Sequence, residues 1–326
     1  MSTVSRVLNG QSQPYRISPT TAARILATAR RLQIAPNPLA RGLKVNKTLT
    51  IGLVIPDISN PFFAGIARSV EIEATARGYS TILCDTQDDT DREVEAIRVL
   101  RYRKVEGLVI CPVGQSDRHL RVFESDPFPI VLADRYFPRL KLPFVASDNV
   151  RGAYEATQYL LDRGHRTIAC IQGLAGTSPN TLRIRGYRRA LADHRIPIRP
   201  SLVVGDGFTQ QNGYAQTRQL LEKFPDLTAI FAFSNLIALG VLRALAEKCR
   251  AVPRDISVLC FDDQPYCAYL ATPMTTVEQN NAELGRQAVT VLFQRIQQSK
   301  PKPAKGVLIP TRLIERKSVR TIERKR

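Results

Sequence analysis

Residues 50–84 read TIGLVIPDISNPFFAGIARSVEIEATARGYSTILC. A short β-branched run, Ile51 to Ile55, gives way to an amphipathic stretch over about 61 to 77 and then to a second run, Ser80 to Cys84. That alternation is the mark of a parallel βαβ unit. The same texture continues outward. Further strands are predicted at Gly107 to Cys111, Ile130 to Ala133, Thr167 to Ile171, Leu202 to Val204, Ala229 to Phe233 and Ser257 to Phe261. The intervening helices fall at about 90–103, 149–163, 180–194, 209–223, 235–248 and 280–298. Eight strands with long crossovers exceed one open sheet, and a break near Asp148-Asn149 divides them four and four. The expected fold is therefore α/β, with two doubly wound parallel-sheet lobes.

In such sheets ligands sit beyond the carboxyl ends of the strands, so two facing lobes make a cleft from those loops. Here the loops are Asp57 to Phe63, Asp134-Arg135, Gly173 to Arg183, Ser234-Asn235 and Asp262 to Tyr266. Their aromatic, Arg, Asn and Asp side chains suit a polyhydroxylated or heterocyclic ligand, with rings stacking on Phe and polar groups hydrogen-bonding in pairs.

The net charge of +18 is concentrated at the ends. Residues 1–48 hold eight Lys or Arg and no acid; residues 300–326 hold ten basic and two acidic residues. Each end thus carries +8, leaving +2 of the +18 on the long middle. A basic tail is often only solvated. The N-terminal charges instead sit among periodic apolar residues, as in a folded module facing a polyanion. Val4, Val7 and Leu8 lie on one face of a short helix that stops at Asn9-Gly10. Ser18 as N-cap and Pro19 at the first helical position open a second helix with an apolar stripe from Ala22 to Leu32. Asn37 to Lys44 is too short and too poor in apolar surface to be a helix alone. It needs a partner.

Other classes are disfavoured. The six cysteines form no C-x-x-C pair, so neither a zinc site nor a disulfide framework is signalled, and mostly buried reduced thiols are expected. His119, His165 and His194 are isolated and read as surface histidines. No cofactor or metal is expected. No apolar stretch approaches the roughly 20 residues of a membrane span, and no signal peptide is apparent, which points to the cytoplasm. Gly205-x-Gly207 lacks the third glycine of a dinucleotide fingerprint, and no Walker A stretch, nucleophile elbow or paired-carboxylate motif occurs. Catalysis is not expected.

Several segments, in order, carry a resemblance that spans the chain. Ser2-Thr3-Val4-Ser5-Arg6-Val7-Leu8-Asn9 resembles the recognition helix of the LacI/GalR repressor family, and Asn37 to Lys44 resembles its hinge helix. The match runs on through Asp57 to Phe63, Val105-Glu106-Gly107-Leu108-Val109, Asp148-Asn149, Arg163-Gly164-His165-Arg166, Arg183 with Gly186-Tyr187, and Leu313-Ile314-Glu315-Arg316. The resemblance implies a repressor, with a partial helix-turn-helix head and hinge over 1–48 and a two-lobed effector-binding and dimerisation body over 49–316. Lobe one would span about 49–148 and 280–308, lobe two about 149–279 and 309–316, followed by a basic tail over 317–326. It further implies a homodimer on palindromic double-stranded operator DNA, controlled by a small effector, a sugar or sugar derivative.

By the same resemblance Met1, Ser2 and Arg6 fall at base-contacting positions, and Thr3, Ser5 and Asn9 at phosphate-contacting ones. A guanidinium such as that of Arg6 can bridge guanine O6 and N7, worth about 1–3 kcal/mol against a wrong base. Leu43 matches the hinge leucine that wedges into the minor groove, with Lys44 beside it. Asn60, Phe62, Phe63, Asp134, Arg183, Asn235, Asp262 and Gln279 match effector positions. Arg183 and Asp262 are expected to clamp the ligand from opposite edges. Asn235 stands where many relatives carry Asp, which alters the hydrogen-bond pattern there. The family's first helix is missing before Ser2, so a native start roughly 15 residues upstream is expected, because two of the three helices of such a head bury too little apolar area. A solute-binding protein of the same two-lobed form is the alternative.

Overall fold

The structure is a computed structural model that describes residues 2–8, 11–32, 48–297 and 306–323. Two helices come first, α1 (Thr3–Leu8) and α2 (Pro19–Arg31), packed on each other. The Ser18 side chain accepts from the Thr21 backbone N–H at 3.2 Å, so the N-cap forms as its sequence dictates.

From Thr50 on the chain builds two six-stranded sheets. The first contains β1 (Thr50–Ile55), β2 (Ser80–Asp85), β3 (Leu108–Ile110), β4 (Ile130–Ala133), β5 (Phe144–Ser147) and β11 (Gly306–Ile309), in the spatial order β11-β5-β4-β3-β1-β2 and all parallel. The second contains β6 (Ile168–Ile171), β7 (Val203–Val204), β8 (Ala229–Ala232), β9 (Ser257–Phe261), β10 (Thr275–Gln279) and β12 (Thr311–Ile314), in the order β12-β10-β9-β8-β6-β7. Inner strands such as β4, β6, β8 and β9 are buried at every residue, which is why they read as unbroken apolar runs rather than alternating ones. Helices α3 (Pro61–Thr75), α4 (Thr90–Tyr102) and α9 (Asn281–Gln297) cover the first sheet, and α5 (Asn149–Asp162), α6 (Ser178–Asp193), α7 (Gln210–Lys223) and α8 (Asn235–Glu247) the second. Helices α5 and α6 pack so closely that a Cβ on Gly186 would lie 2.3 Å from the Val150 carbonyl. Only glycine fits there.

The expected four strands per lobe become six. β5 follows Pro143 in a short stretch that reads as loop. β10, with sequence TTVEQ, has one aliphatic residue, yet Thr275 and Thr276 are fully buried because their hydroxyls are engaged by the Arg316 N–H and Asp263 Oδ1. β11 and β12 are joined through Pro310, and β12 pairs antiparallel with β10, so the second sheet is not purely parallel. The chain crosses between sheets at three places: β5 to α5, β10 to α9, and β11 to β12. Two of these crossings touch, since Asp148 N–H donates to the Ile309 carbonyl at 2.8 Å.

The expectation of surface histidines is corrected at two positions. His165 is fully buried, with Nε2 3.1 Å from the Arg320 carbonyl and Nδ1 2.9 Å from Thr228 Oγ1. A carbonyl only accepts, so the neutral ring holds its proton on Nε2, and Nδ1 shares the Thr228 hydroxyl proton with the Thr167 carbonyl, 3.2 Å from Thr228 Oγ1. Burial lowers its pKa to about 4. His119 is half-buried and bonded through Nε2 to Oε1 of Glu93, a fully buried carboxylate. Four of the six cysteines are buried, with Cys84 half-buried and Cys249 exposed.

Candidate effector cleft

The strand ends of the two lobes face one another, and the loops that leave them supply the cleft. Asn60 follows β1 and caps α3, its Oδ1 accepting the Phe62 N–H at 3.1 Å. That cap sets Phe62 and Phe63 on the first turn, packed edge to face at 5.1 Å. Both rings belong to the lobe-one core and also line the cleft. Asp134 follows β4 and Asp262 follows β9; Arg183 projects from α6, Asn235 opens α8, and Gln279 ends β10.

Seven of the eight expected effector residues, Asn60, Phe62, Phe63, Asp134, Arg183, Asp262 and Gln279, line one cavity of about 30 Å³. The eighth, Asn235, lies beside it and donates through Nδ2 to Asn60 Oδ1 at 3.1 Å, across the two lobes. Two more bonds cross: Tyr136 N–H to Ser178 Oγ at 2.9 Å, and Gln115 Nε2 to the Ala175 carbonyl at 2.6 Å. The lobes are closed on each other. The closed cleft is therefore narrow at its walls.

The cleft is electrostatically balanced. Asp134 and Asp262 are both buried, with Arg135 and Arg183 as counter-charges. Burial raises the Asp134 pKa to about 6, against the pull of Arg135 and Arg183 and with a push from Asp262. Asp262 is likewise raised by burial, while Arg183, Gln279 and the Asn235 N–H lower it. Burial pushes the Arg183 guanidinium down, which Asp262 and Asp134 oppose. Both aspartates sit in the left-handed region, at φ 62° and 74°. Side chains tolerate this at a cost of order 1 kcal/mol, and such strain gathers at functional sites.

Arg183 and Asp262 both line the cavity. Both belong to lobe two, and no ion pair within 4 Å joins them among the described residues. Arg183 donates through Nε to Asn149 Oδ1 at 2.7 Å and through Nη1 to the Phe233 carbonyl, with its Cζ 3.9 Å over the Phe261 ring. Asp262 accepts from Gln279 Nε2 and from the Asn235 N–H at 3.2 Å. Three buried polar atoms at the expected effector positions remain without a partner: Asp134 Oδ1 and Gln279 Oε1 in the cavity wall, and Asn235 Oδ1 beside it.

Four lining residues lay outside the matched positions: Arg135, Pro179, Phe208 and Ser234. Three of them fall in loops already marked as strand-end loops. Phe208 does not, because β7 before it is only two residues long. Its ring packs on Gly173, where a Cβ would lie 2.2 Å away. The Arg135 guanidinium lies 5.6 Å from the Phe63 ring of lobe one and 5.6 Å from the Phe208 ring of lobe two, a cation–π bridge over the closed cleft.

In the head, Val7 is buried and Ser2 and Thr3 are exposed. Arg6 stacks on Tyr15 at 4.0 Å from its Cζ to the ring centroid, so reaching a base edge requires it to leave that ring. Ser2 Oγ accepts the Ser5 N–H at 3.4 Å. Met1, Asn9, Leu43 and Lys44, with the rest of the hinge segment, lie outside the described residues. Among the described residues no group of three or more His, Cys, Asp or Glu could hold a metal, and no helix is long and apolar enough to cross a membrane.

Two hinged α/β lobes closing on a polar, aromatic-walled cleft define the class of periplasmic-binding-protein-like ligand receptors, and the model of the "Periplasmic binding protein-like domain" family matches residues 157–319. The ribose operon repressor of Escherichia coli (strain K12) is 34% identical over 318 residues, covering 97% of this chain and 95% of that protein. Among solved structures, the transcriptional regulator CelR–cellobiose complex superposes with a TM-score of 0.77 at 31% identity, over 97% of this chain and 95% of that one. A LacI family transcriptional regulator from Enterococcus faecium with bound ribose gives a TM-score of 0.74 at 28% identity, over 84% of this chain and 100% of that one. The chain belongs to the LacI family of transcriptional regulators. The reading as a DNA-binding repressor thereby prevails over that of a solute-binding protein.

Proposed function

We propose that the cleft binds a small polyhydroxylated effector, a sugar or sugar derivative, which controls the affinity of the N-terminal head for operator DNA. The observation that carries this is the pair of buried unpartnered acceptors, Asp134 Oδ1 and Gln279 Oε1, set among the rings of Phe62, Phe63 and Phe208. Buried polar atoms in native proteins are almost always paired, and hydroxyl donors flanked by an apolar ring face are what a sugar offers to this wall. The cellobiose and ribose held by the two structural relatives support the same class. The effector residues would be Asn60, Phe62, Phe63, Asp134, Arg183, Asn235, Asp262 and Gln279, joined by Arg135 and Phe208. A thermal-shift screen of pentoses, hexoses, disaccharides, sugar acids and nucleosides tests it, since a ligand that binds the folded chain stabilises it by mass action. Stabilisation by nucleosides alone would refute the sugar class.

In this reading residues 1–48 form the head and hinge, 49–316 the two-lobed body and 317–326 a basic tail. Ser2, Thr3, Ser5, Arg6, Leu43 and Lys44, with Met1 and Asn9, would face DNA. The regulator works in the cytoplasm as a homodimer without catalysis. The dimer face is supported by exposed apolar residues around the edge strand β2: Leu83 on the strand, Ile72 on α3 and Val94 on α4. An exposed edge with apolar neighbours is normally covered. Effector binding would shift operator affinity by a coupling free energy of about 1–3 kcal/mol.

A further inference from the structure

A second cavity, of about 220 Å³, opens at the other end of the lobe-two sheet. It begins at Arg166 to Ile168, where β6 starts, whereas the cleft lies beyond the residues where β6 ends. The two are separated by the length of the strand, about 13 Å at 3.3 Å per residue. Tyr187, Leu191 and Leu202 make an apolar floor. The Tyr187 hydroxyl is already spent on the Ile168 carbonyl at 2.8 Å, so the floor has no polar demand from that side chain.

The rim is basic. Arg166, Arg195 and Arg199 line it, and no carboxylate does. Arg166 is fixed there by Nη1, which donates to the Leu161 and His165 carbonyls at 2.7 and 2.8 Å. Arg199 has one acidic neighbour, Asp226 at 3.7 Å, whose Oδ2 already accepts from Thr167 Oγ1 at 2.9 Å. Among the described residues no carboxylate lies within 4 Å of Arg195. Three guanidinium groups around an apolar floor, with a counter-ion on Arg199 alone, leave an excess of positive charge over a pocket of small-molecule size.

We propose that this pocket is a second ligand site, taking a small organic anion whose carboxylate or phosphate monoester meets the arginines while an apolar or aromatic body rests on Tyr187, Leu191 and Leu202. Guanidinium groups suit both anions through paired N–H donors. The site is independent of the sugar cleft. Isothermal titration of the full chain at about 0.15 M salt tests it with four probes: benzyl phosphate, benzoate, benzyl alcohol and inorganic phosphate. The expected result is saturable binding of benzyl phosphate, of benzoate, or of both, with benzyl alcohol and inorganic phosphate at least about tenfold weaker; which anion wins identifies the headgroup. The double variant Arg195→Gln/Arg199→Gln should weaken binding by about tenfold or more, and Asp134→Asn in the cleft should leave it intact. Arg195→Gln alone removes an exposed, unpaired side chain and gives the same readout if the double variant is less stable. Failure of both ring anions to saturate below about 10 mM, equal binding of inorganic phosphate, unchanged binding in the arginine variants, or loss of binding in Asp134→Asn would each overturn the proposal.

Discussion

Replacing Asp134 by Asn should make the protein more stable at pH 8 and less responsive to its effector. Asp134 is 3% exposed and its pKa is raised to about 6 from a reference near 3.8. A carboxyl whose folded pKa exceeds its unfolded value takes up a proton on folding, so its contribution is most favourable below about pH 4. That contribution is then lost as pH rises through the window to about 6. At about 1.4 kcal/mol per pH unit, the buried charge costs roughly 3 kcal/mol above that window. Asn is nearly isosteric, is neutral at every pH, and tolerates the left-handed backbone at this position. Urea denaturation of the Asn variant from pH 4 to 8 should therefore lack this slope, with a gain of about 2–3 kcal/mol at pH 8. Effector binding moves the opposite way. A hydroxyl donated to Asp134 Oδ1 favours the ionised form, so wild-type affinity should rise between pH 5 and 7 with proton release, measurable by calorimetry in two buffers. Losing one charge-assisted bond, worth about 1.5–3 kcal/mol, should weaken binding by roughly 10- to 150-fold. A variant that is as pH-sensitive as wild type, or less stable at pH 8, would refute the assignment of a strained, charge-burying Asp134.

Three further outcomes are expected. Gly173→Ala puts a methyl group into the Phe208 ring, so it should expel Phe208, break the Arg135 bridge and weaken effector affinity by about tenfold or more, with a stability loss of about 1–3 kcal/mol; unchanged affinity would remove Phe208 from the site. His165 is held neutral with a pKa of about 4 against 6.5, so its stabilising effect is present above pH 6.5 and is lost as pH falls towards 4, by about 3 kcal/mol in all. His165→Gln should flatten that acid limb in denaturation profiles, and an unaltered limb would place the titration elsewhere. Leu83→Glu on the exposed edge strand should convert a dimer to a monomer in sedimentation experiments, and a dimer that persists would put the subunit contact on another face.

Much of the architecture is legible in the residues because inner parallel strands are buried on both faces. β4 begins and ends where its apolar run does, and β9 ends where its run does. The strands that escape are those at the crossings. β10 hides because its threonines are buried by hydrogen bonding rather than by hydrophobicity, and β5, β11 and β12 because each is four residues long next to proline. The residues that line the cleft are legible because most of them lie in loops that follow strand ends. What periodicity does not carry is the pairing between lobes: that Asn235 reaches Asn60, that Arg183 answers to Asn149 and Phe233 rather than to Asp262, and that Phe208 leans on Gly173. His165 is missed for a similar reason. Its burial depends on the Arg320 carbonyl, 155 residues away.

The two lobes use one backbone device to hold their carboxylates. β4 and β9 occupy the third place in their respective sheets, and each runs directly into an aspartate with positive φ. In each case the aspartate N–H donates at 2.9 Å to a carbonyl of the neighbouring strand, Asp134 to Val145 and Asp262 to Val277. The difference lies in what the side chains find. Asp262 is met within its own lobe by Gln279 and the start of α8, whereas Asp134 keeps one oxygen unpaired. In the closed arrangement the two anions share one low-dielectric space, where Asp262 pushes the Asp134 pKa up and Arg135 and Arg183 pull it down. On the proposed reading, hydroxyls donated to the unpaired oxygen of Asp134 would tip the balance among these four charges towards closure. A ligand that supplies them favours the closed arrangement by its differential affinity, which is the condition for an effector to shift a two-state regulator.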